Sequence, residues 1–137
     1  MRQPVTFDFD DTLLQTRWDP VTEEAVECGP NLVMLQTMRA FLDMGHEVHI
    51  VTSRVERFES SPDRTSVRDF LVEHRLHVDG VHFTNGDSKV DTLVKLGAFR
   101  HFDDDEEELD LLPNTIEGIW VPPHPSWGEA PKADRVA

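Results

Sequence analysis

The sequence predicts an α/β fold: a three-layer sandwich with helices on both faces of a mostly parallel five-stranded sheet. Three observations carry that expectation. Short apolar runs alternate with longer stretches whose apolar residues recur at helical spacing. Five strand candidates separated by helices need crossover connections, and these force parallel pairing. The runs also stop at polar or turn residues, so acids, hydroxyls and a lysine gather where strands end. A chain of 137 residues has room for one domain. Residues 1–121 are expected to form it, with an irregular, proline-rich tail over 122–137.

The elements follow in order. Val5 to Phe9 is a short apolar run ending in acids and reads as a buried strand. Residues 13–29 are mixed, with Trp18-Asp19-Pro20 as a turn signal, and are expected to form a small flap. From Asn31 to Met44, Leu35, Met38 and Leu42 share a helical face, and Gly45 suits the cap. His46 to Val51 is the second strand, closed by Thr52-Ser53-Arg54. Residues 55–64 read as a loop, followed by a helix from about Thr65 to His74. Val78 to Phe83 is the third strand, stopped by Asn85-Gly86. Ser88 is expected to cap a helix through Leu96, ended by Gly97. Phe99 to Phe102, a short acidic helix and a strand over 116–121 complete a Rossmann-like arrangement.

Composition narrows the function. Hydrophobic residues at 38% and charged residues at 29% fit a globular chain rather than a disordered one. A net charge of −14 repels polyanions, so non-specific binding to duplex DNA is not expected. It leaves small phosphate esters open, because a bound cation reverses the local sign. No apolar stretch approaches the roughly 20 residues that span a bilayer, and no membrane partner is expected. Cys28 stands alone, which excludes a disulfide framework and points to a cytoplasmic location.

Right-handed crossovers place all strand C-termini along one sheet edge, where such sheets bind ligands. Asp8, Asp10, Thr52, Lys89, Asp103 and Asp104 therefore converge. Clustered carboxylates raise one another's pKa and call for a compensating cation. Their oxygen donors suit a hard ion such as Mg²⁺. Thr52, or its neighbour Ser53, offers a hydroxyl to a phosphoryl oxygen, and Lys89 offers charge, with Lys95 a competitor. These parts supply the positioning and charge stabilisation that phosphoryl transfer needs.

The run Phe7-Asp8-Phe9-Asp10-Asp11-Thr12-Leu13 resembles the first motif of the haloacid dehalogenase (HAD) superfamily. The segment Gly45 to Arg54 is similar to the second, with Thr52 as the phosphate-binding hydroxyl. Ser88-Lys89 resembles the third and His101-Phe102-Asp103-Asp104 the fourth. All four occur in the family's order, over residues 5 to about 121. The resemblance implies a phosphatase in which Asp8 attacks phosphorus and forms an aspartyl-phosphate, while Asp10 serves as acid and then base. It implies Mg²⁺ on Asp8, the backbone carbonyl of Asp10, and Asp103 or Asp104, with Asp104 favoured. Substrate contacts fall to Thr52, Ser53, Arg54 and Lys89.

The short insertions at 13–29 and 84–88 imply a capless member. Its substrate is then a nucleotide, another small phosphate monoester or a nucleic-acid end, unless a second subunit of a homo-oligomer acts as lid. Arg17, Trp18, Arg54 and Arg57 are candidates for the substrate mouth, against the alternative of surface packing. His49 is expected as a hydrogen-bonded core residue, and His124-Pro125-Ser126-Trp127 as a clasp packed on the domain. A signalling receiver domain has similar parts in another order: its phosphorylated Asp follows strand three, where this chain has Thr84-Asn85. A non-catalytic phosphoryl-binding module and a phosphotransferase are the remaining alternatives. One member of the acidic run Asp105 to Glu108 can orient the metal shell, the rest favouring a helix N-terminus.

Overall fold

Five strands pair side by side, all parallel, in the computed structural model, which describes residues 2–130. They are β1 (Arg2–Phe7), β4 (His46–Thr52), β5 (Gly80–Phe83), β6 (Arg100–Asp103) and β7 (Glu117–Trp120). Their spatial order is β5-β4-β1-β6-β7. The chain builds outward from β1 through β4 to β5, then returns and adds β6 and β7 on the other side. The order therefore reverses at β1, and its C-terminal end faces the crevice where open α/β sheets bind ligands. The fold is Rossmann-like, as the alternation of elements predicts.

Strand periodicity assigns the two faces. Val5, Phe7, Val48 and Ile50 point to one side and are buried against α1 (Leu32–Asp43) and α2 (Val67–Glu73), through Leu35, Met38, Phe41, Val67 and Phe70. Phe7 stacks on Phe102 at 4.7 Å, and Phe9 meets Phe70 edge-on at 5.1 Å. Val51 points to the opposite side, where Leu93 of α3 (Val90–Leu96) and Ile116 cover it. The short acidic helix is α4 (Glu106–Asp110), capped by the Asp105 carboxylate, which accepts from the Glu107 amide at 3.0 Å.

Several boundaries differ from expectation for identifiable reasons. The third strand starts at Gly80 instead of Val78, because Asp79 is taken up by a two-way bond to Val48. Its amide donates to the Val48 carbonyl, and its carboxylate accepts from the Val48 amide, both at 2.8 Å. Ser88 sits one residue before the N-cap position, which Lys89 occupies, and its hydroxyl still accepts from the Val90 amide at 3.3 Å. The helix begins at Val90, and the Glu108 carboxylate accepts from the Lys89 amide and the Ser88 hydroxyl. Residues 13–29 form more than a mixed flap: β2 (Leu14–Asp19) and β3 (Glu24–Pro30) make an antiparallel hairpin.

That hairpin is clasped on two sides. On one side, the Ser126 hydroxyl accepts from the Trp18 amide at 2.8 Å, the Trp127 indole donates to the Thr16 carbonyl at 3.0 Å, and the two indoles sit 5.9 Å apart. The tail from His124 is thus a clasp, as its sequence suggests; the part beyond Ala130 lies outside the described residues. On the other side, Glu27 of β3 accepts from the amide and hydroxyl of Thr65, at 3.0 and 2.8 Å. No helix among the described residues is long and apolar enough to cross a membrane.

Trp127→Ala removes both the ring contact and the indole hydrogen bond. It should destabilise the protein by about 1–3 kcal/mol in chemical denaturation and speed limited proteolysis within 14–30. Unchanged cleavage would show that the tail does not hold the hairpin.

Candidate active site

The Asp8 amide donates to the Phe102 carbonyl at 2.9 Å, extending the β1–β6 ladder one residue beyond β1. The chain then turns sharply. Leu13 and Leu14 donate back to the Phe9 carbonyl, and Asp11 donates to Leu14. The turn puts Asp11 at φ 62, a left-handed conformation that aspartate tolerates better than most residues. Two carboxylates, Asp8 and Asp10, leave this turn in different directions.

Asp8 points into a buried charge network. Lys89 Nζ lies 3.0 Å from its Oδ1 and 2.7 Å from Oδ2 of Asp103, the last residue of β6. Lys89 and Asp8 are buried, and Asp103 is fully so. Asp103 is held on every side: its Oδ2 also meets His101 Nε2 at 2.8 Å, and its Oδ1 accepts from the Asp105 amide at 3.0 Å. His101 Nδ1 in turn meets the Thr6 hydroxyl at 2.8 Å. Thr6 and His101 are register partners on β1 and β6, so strand pairing itself aligns the chain Thr6–His101–Asp103–Lys89–Asp8.

Asp104 completes the cluster from the other side. Thr12 Oγ1 sits 3.3 Å from both Asp8 Oδ2 and Asp104 Oδ1. Its one proton serves a single carboxylate at a time. The Trp120 indole donates to the Asp104 carbonyl at 3.0 Å and fixes the backbone. One oxygen from each of Asp8, Asp103 and Asp104 falls within a 4.8 Å span. Three hard oxygen donors at that spacing fit Mg²⁺ or a similar cation rather than zinc or copper.

The same residue type responds oppositely in its three places. Burial pushes Asp8 well above the ordinary carboxylate range; Lys89 opposes the shift, and Asp103 and Asp104 add to it. Burial also raises Asp104, to about 6; its bond to Asp8 opposes this and the charge of Asp103 reinforces it. Burial would raise Asp103 too, but His101 and Lys89 reverse the sign and hold it below the usual range. Burial by itself would lower Lys89, yet Asp8 and Asp103 outweigh it and raise it. Burial keeps His101 low despite Asp103.

Asp10 goes elsewhere. Its carboxylate lies in a bidentate pair with Arg54, at 2.9 Å from Nε and 2.8 Å from NH2, and Arg64 approaches at 3.4 Å. Asp10's carboxylate is outside the three-oxygen cluster. Arg54 is itself buried: it donates to the Thr65 carbonyl at 2.7 Å and lies over the Phe9 ring at 4.7 Å. Its contacts within the chain orient Asp10. Thr52 is buried at the end of β4, its hydroxyl accepting from the Arg54 amide at 3.2 Å, while Ser53 is exposed. Of these two hydroxyls, only Thr52 is fixed in place.

The other mouth candidates separate. Trp18 packs against Trp127, Arg17 lies 3.9 Å from Asp19, and Arg57 stacks over Phe58. A cleft of about 910 Å³ is bordered by Glu27, Arg64, Thr65, Leu71, Leu76 and Phe83, and Arg64 is its link to Asp10. None of Asp8, Asp10, Thr52, Lys89, Asp103 and Asp104 lines it. Sequence reasoning gave no individual role to Thr12, His101 or Arg64, and named Glu108 only as one member of the acidic run that could orient a metal shell. The period-two spacing of His101 and Asp103 is a usable signal for one of them, since it puts both on one face of β6. Compared with protein-family models, with curated proteins and with solved structures, the chain matches none.

The raised Asp104 sets a pH test in metal-free buffer. Its folded pKa, about 6, lies above the unfolded value, so its contribution to stability is complete below about pH 4 and is lost as pH rises through about 6. Asp104→Asn should therefore raise the melting temperature at pH 7 and change it little at pH 4. An equal shift at both values would show that Asp104 is not electrostatically strained.

Proposed function

We propose that the chain is a magnesium-dependent phosphatase of the capless HAD type, hydrolysing a small phosphate monoester through an aspartyl-phosphate. The observation that carries this reading is the buried Asp8–Lys89–Asp103 network with Asp104 beside it, at the C-terminal sheet edge where the strand order reverses. A solvated acidic patch would not bury a lysine between two aspartates. The four motif resemblances fall on the residues that this edge gathers.

Each residue then has a task. An Asp8 carboxylate oxygen attacks phosphorus as the bond from phosphorus to the leaving oxygen breaks. Asp10 delivers a proton to that oxygen, then takes one from the water that attacks the aspartyl-phosphate, so Asp8 is regenerated and inorganic phosphate leaves. Arg54 holds Asp10 in place; a carboxylate has about four lone-pair sites, so the pair leaves Asp10 able to accept a proton. Lys89 stabilises charge on Asp8 and on the phosphoryl group, and Thr52 donates to a phosphoryl oxygen. Asp8, the Asp10 carbonyl and Asp104 would hold Mg²⁺, since Asp103 is committed to Lys89, His101 and the Asp105 amide. Bound there, the ion supplies charge neutralisation at the phosphate.

The cleft behind Arg64 mixes apolar and polar walls and suits the body of a nucleotide or similarly sized ester whose phosphate reaches past Arg64 toward Asp10. The Arg54 clamp on Asp10 favours one alternative, a module that binds a phosphorylated ligand without turning it over.

Phosphate release from a panel of nucleotides and sugar phosphates should require Mg²⁺, fall to background in Asp8→Asn, and drop roughly 10²–10⁴-fold in Asp10→Asn. Equal turnover by wild type and Asp8→Asn would overturn the nucleophile, and ligand binding without turnover would favour the module. Because Asp104 must lose a proton to bind the ion, apparent Mg²⁺ affinity should weaken as pH falls below about 6. A flat Mg²⁺ affinity from pH 5 to 7.5 would remove Asp104 from the ligand set.

A further inference from the structure

The hairpin of β2 and β3 carries none of the reacting groups, yet two of its contacts lead to Asp10. On β2, the Thr16 amide donates to Oδ1 of Asp11 at 3.0 Å, and the Thr16 hydroxyl donates to the same oxygen. The Asp11 amide donates to the Leu14 carbonyl at 2.7 Å. These bonds tie the backbone next to Asp10 to the start of the hairpin. Across the hairpin, Thr16 pairs with Glu27 on β3. The Glu27 carboxylate accepts from the amide and the hydroxyl of Thr65, at 3.0 and 2.8 Å.

Thr65 passes this contact on to Arg54. Its carbonyl accepts from NH1 of Arg54 at 2.7 Å, while Nε and NH2 of the same guanidinium hold the Asp10 carboxylate. A guanidinium is a rigid planar fork, so holding NH1 fixes the directions in which Nε and NH2 point. Phe9, 4.7 Å from the guanidinium carbon, and Glu59, 3.9 Å from NH1, are its further supports. Asp10, Asp11, Thr16, Glu27, Thr65 and Arg54 thus form a closed circuit that has the hairpin as one side. Glu27 is the one exposed residue of the six, so its side chain can be removed without opening the core.

We propose that Glu27 is a positioning residue for the acid and base step: through Thr65 and Arg54 it holds the Asp10 carboxylate toward the leaving oxygen, and the hairpin thereby sets how well Asp10 works. This rests on the reading of Asp10 as the group that protonates that oxygen. The proton passes from Asp10 to the ester oxygen as the bond from that oxygen to phosphorus breaks, so its contribution grows with the basicity of the leaving group. A 4-nitrophenolate leaves with little help, whereas the more basic phenolate needs the proton. Loss of a support for Asp10 therefore costs more with phenyl phosphate than with 4-nitrophenyl phosphate. A general loosening of the site costs both alike.

The test compares these two esters, with Mg²⁺, in wild type, Glu27→Ala and Asp10→Asn, and follows exchange of the Arg54 Nε proton by NMR. Glu27→Ala should lower kcat on phenyl phosphate by about 10-fold, less than the roughly 10²–10⁴-fold expected when a general acid is removed outright, and on 4-nitrophenyl phosphate by no more than about threefold. Asp10→Asn should show the same bias on a larger scale. Thr65→Val keeps the amide bond to Glu27 and loses the hydroxyl bond, and should fall between wild type and Glu27→Ala. The Arg54 proton should exchange about tenfold faster in Glu27→Ala. An equal loss on both esters, or no loss on either, would overturn the proposal and leave the Asp8 chemistry standing. If wild type turns over neither ester, the phosphatase reading fails on its own; faster Arg54 exchange in Glu27→Ala then upholds the link from the hairpin to Asp10, and an unchanged rate overturns it.

Discussion

The ammonium of Lys89, buried between Asp8 and Asp103, is the interaction around which the rest of the site is arranged. Taking three charges out of water costs several kcal/mol per ion unless each is paired and hydrogen-bonded. The surrounding structure meets that condition. Asp103 receives His101 and the Asp105 amide as well as the lysine, His101 meets Thr6, and the Lys89 backbone is held by Glu108 from α4. Removal of one partner would strand the others, so the network ties β1, β6, α3 and α4 to a single geometry.

Electrostatic differentiation follows from topology. Strand β1 lies between β4 and β6, so its end receives Asp103 and Asp104 from one side and the Thr52–Arg54 segment from the other. One side fixes Asp8 and the other fixes Asp10. The two acids are separated by a single residue in sequence, yet Asp8 faces a buried lysine and Asp10 a buried arginine. Within the first set, Asp103 is satisfied and pushed low, while burial pushes Asp8 and Asp104 high, with the charge of Asp103 adding to both. Two carboxylates held high in this way are the physical case for a cation: their charged forms are disfavoured without one and stabilised when a positive charge enters.

The central sheet was legible because its strands are apolar runs separated by capped amphipathic helices, a pattern fixed by local periodicity. The residues at strand ends were legible for the same reason, since parallel topology sends every C-terminus to one edge. The hairpin of β2 and β3 was not. Its exposed strand carries Glu24, Glu27 and little apolar periodicity, and it is held by distant partners, Thr65, Ser126 and Trp127. Arg54 was a candidate for the substrate mouth because a guanidinium there suits a phosphate or a nucleobase. The partner it has within the chain, Asp10, lies 44 positions away, a pairing that spacing along the chain does not reveal and the β1–β4 register creates. The outer supports, Thr12 and Glu108, depend on side-chain directions that no spacing rule encodes.

The account stands on Asp8 as the group that takes the phosphoryl. The most direct measurement is to quench the Mg²⁺-loaded protein during turnover of an aryl phosphate, reduce it with borohydride, and map the modified peptide by mass spectrometry. Borohydride converts an aspartyl-phosphate to homoserine, and the account predicts that product at Asp8 and at no other carboxylate. Turnover with an unmodified Asp8, or with the label on Asp10 or Asp104, would contradict it.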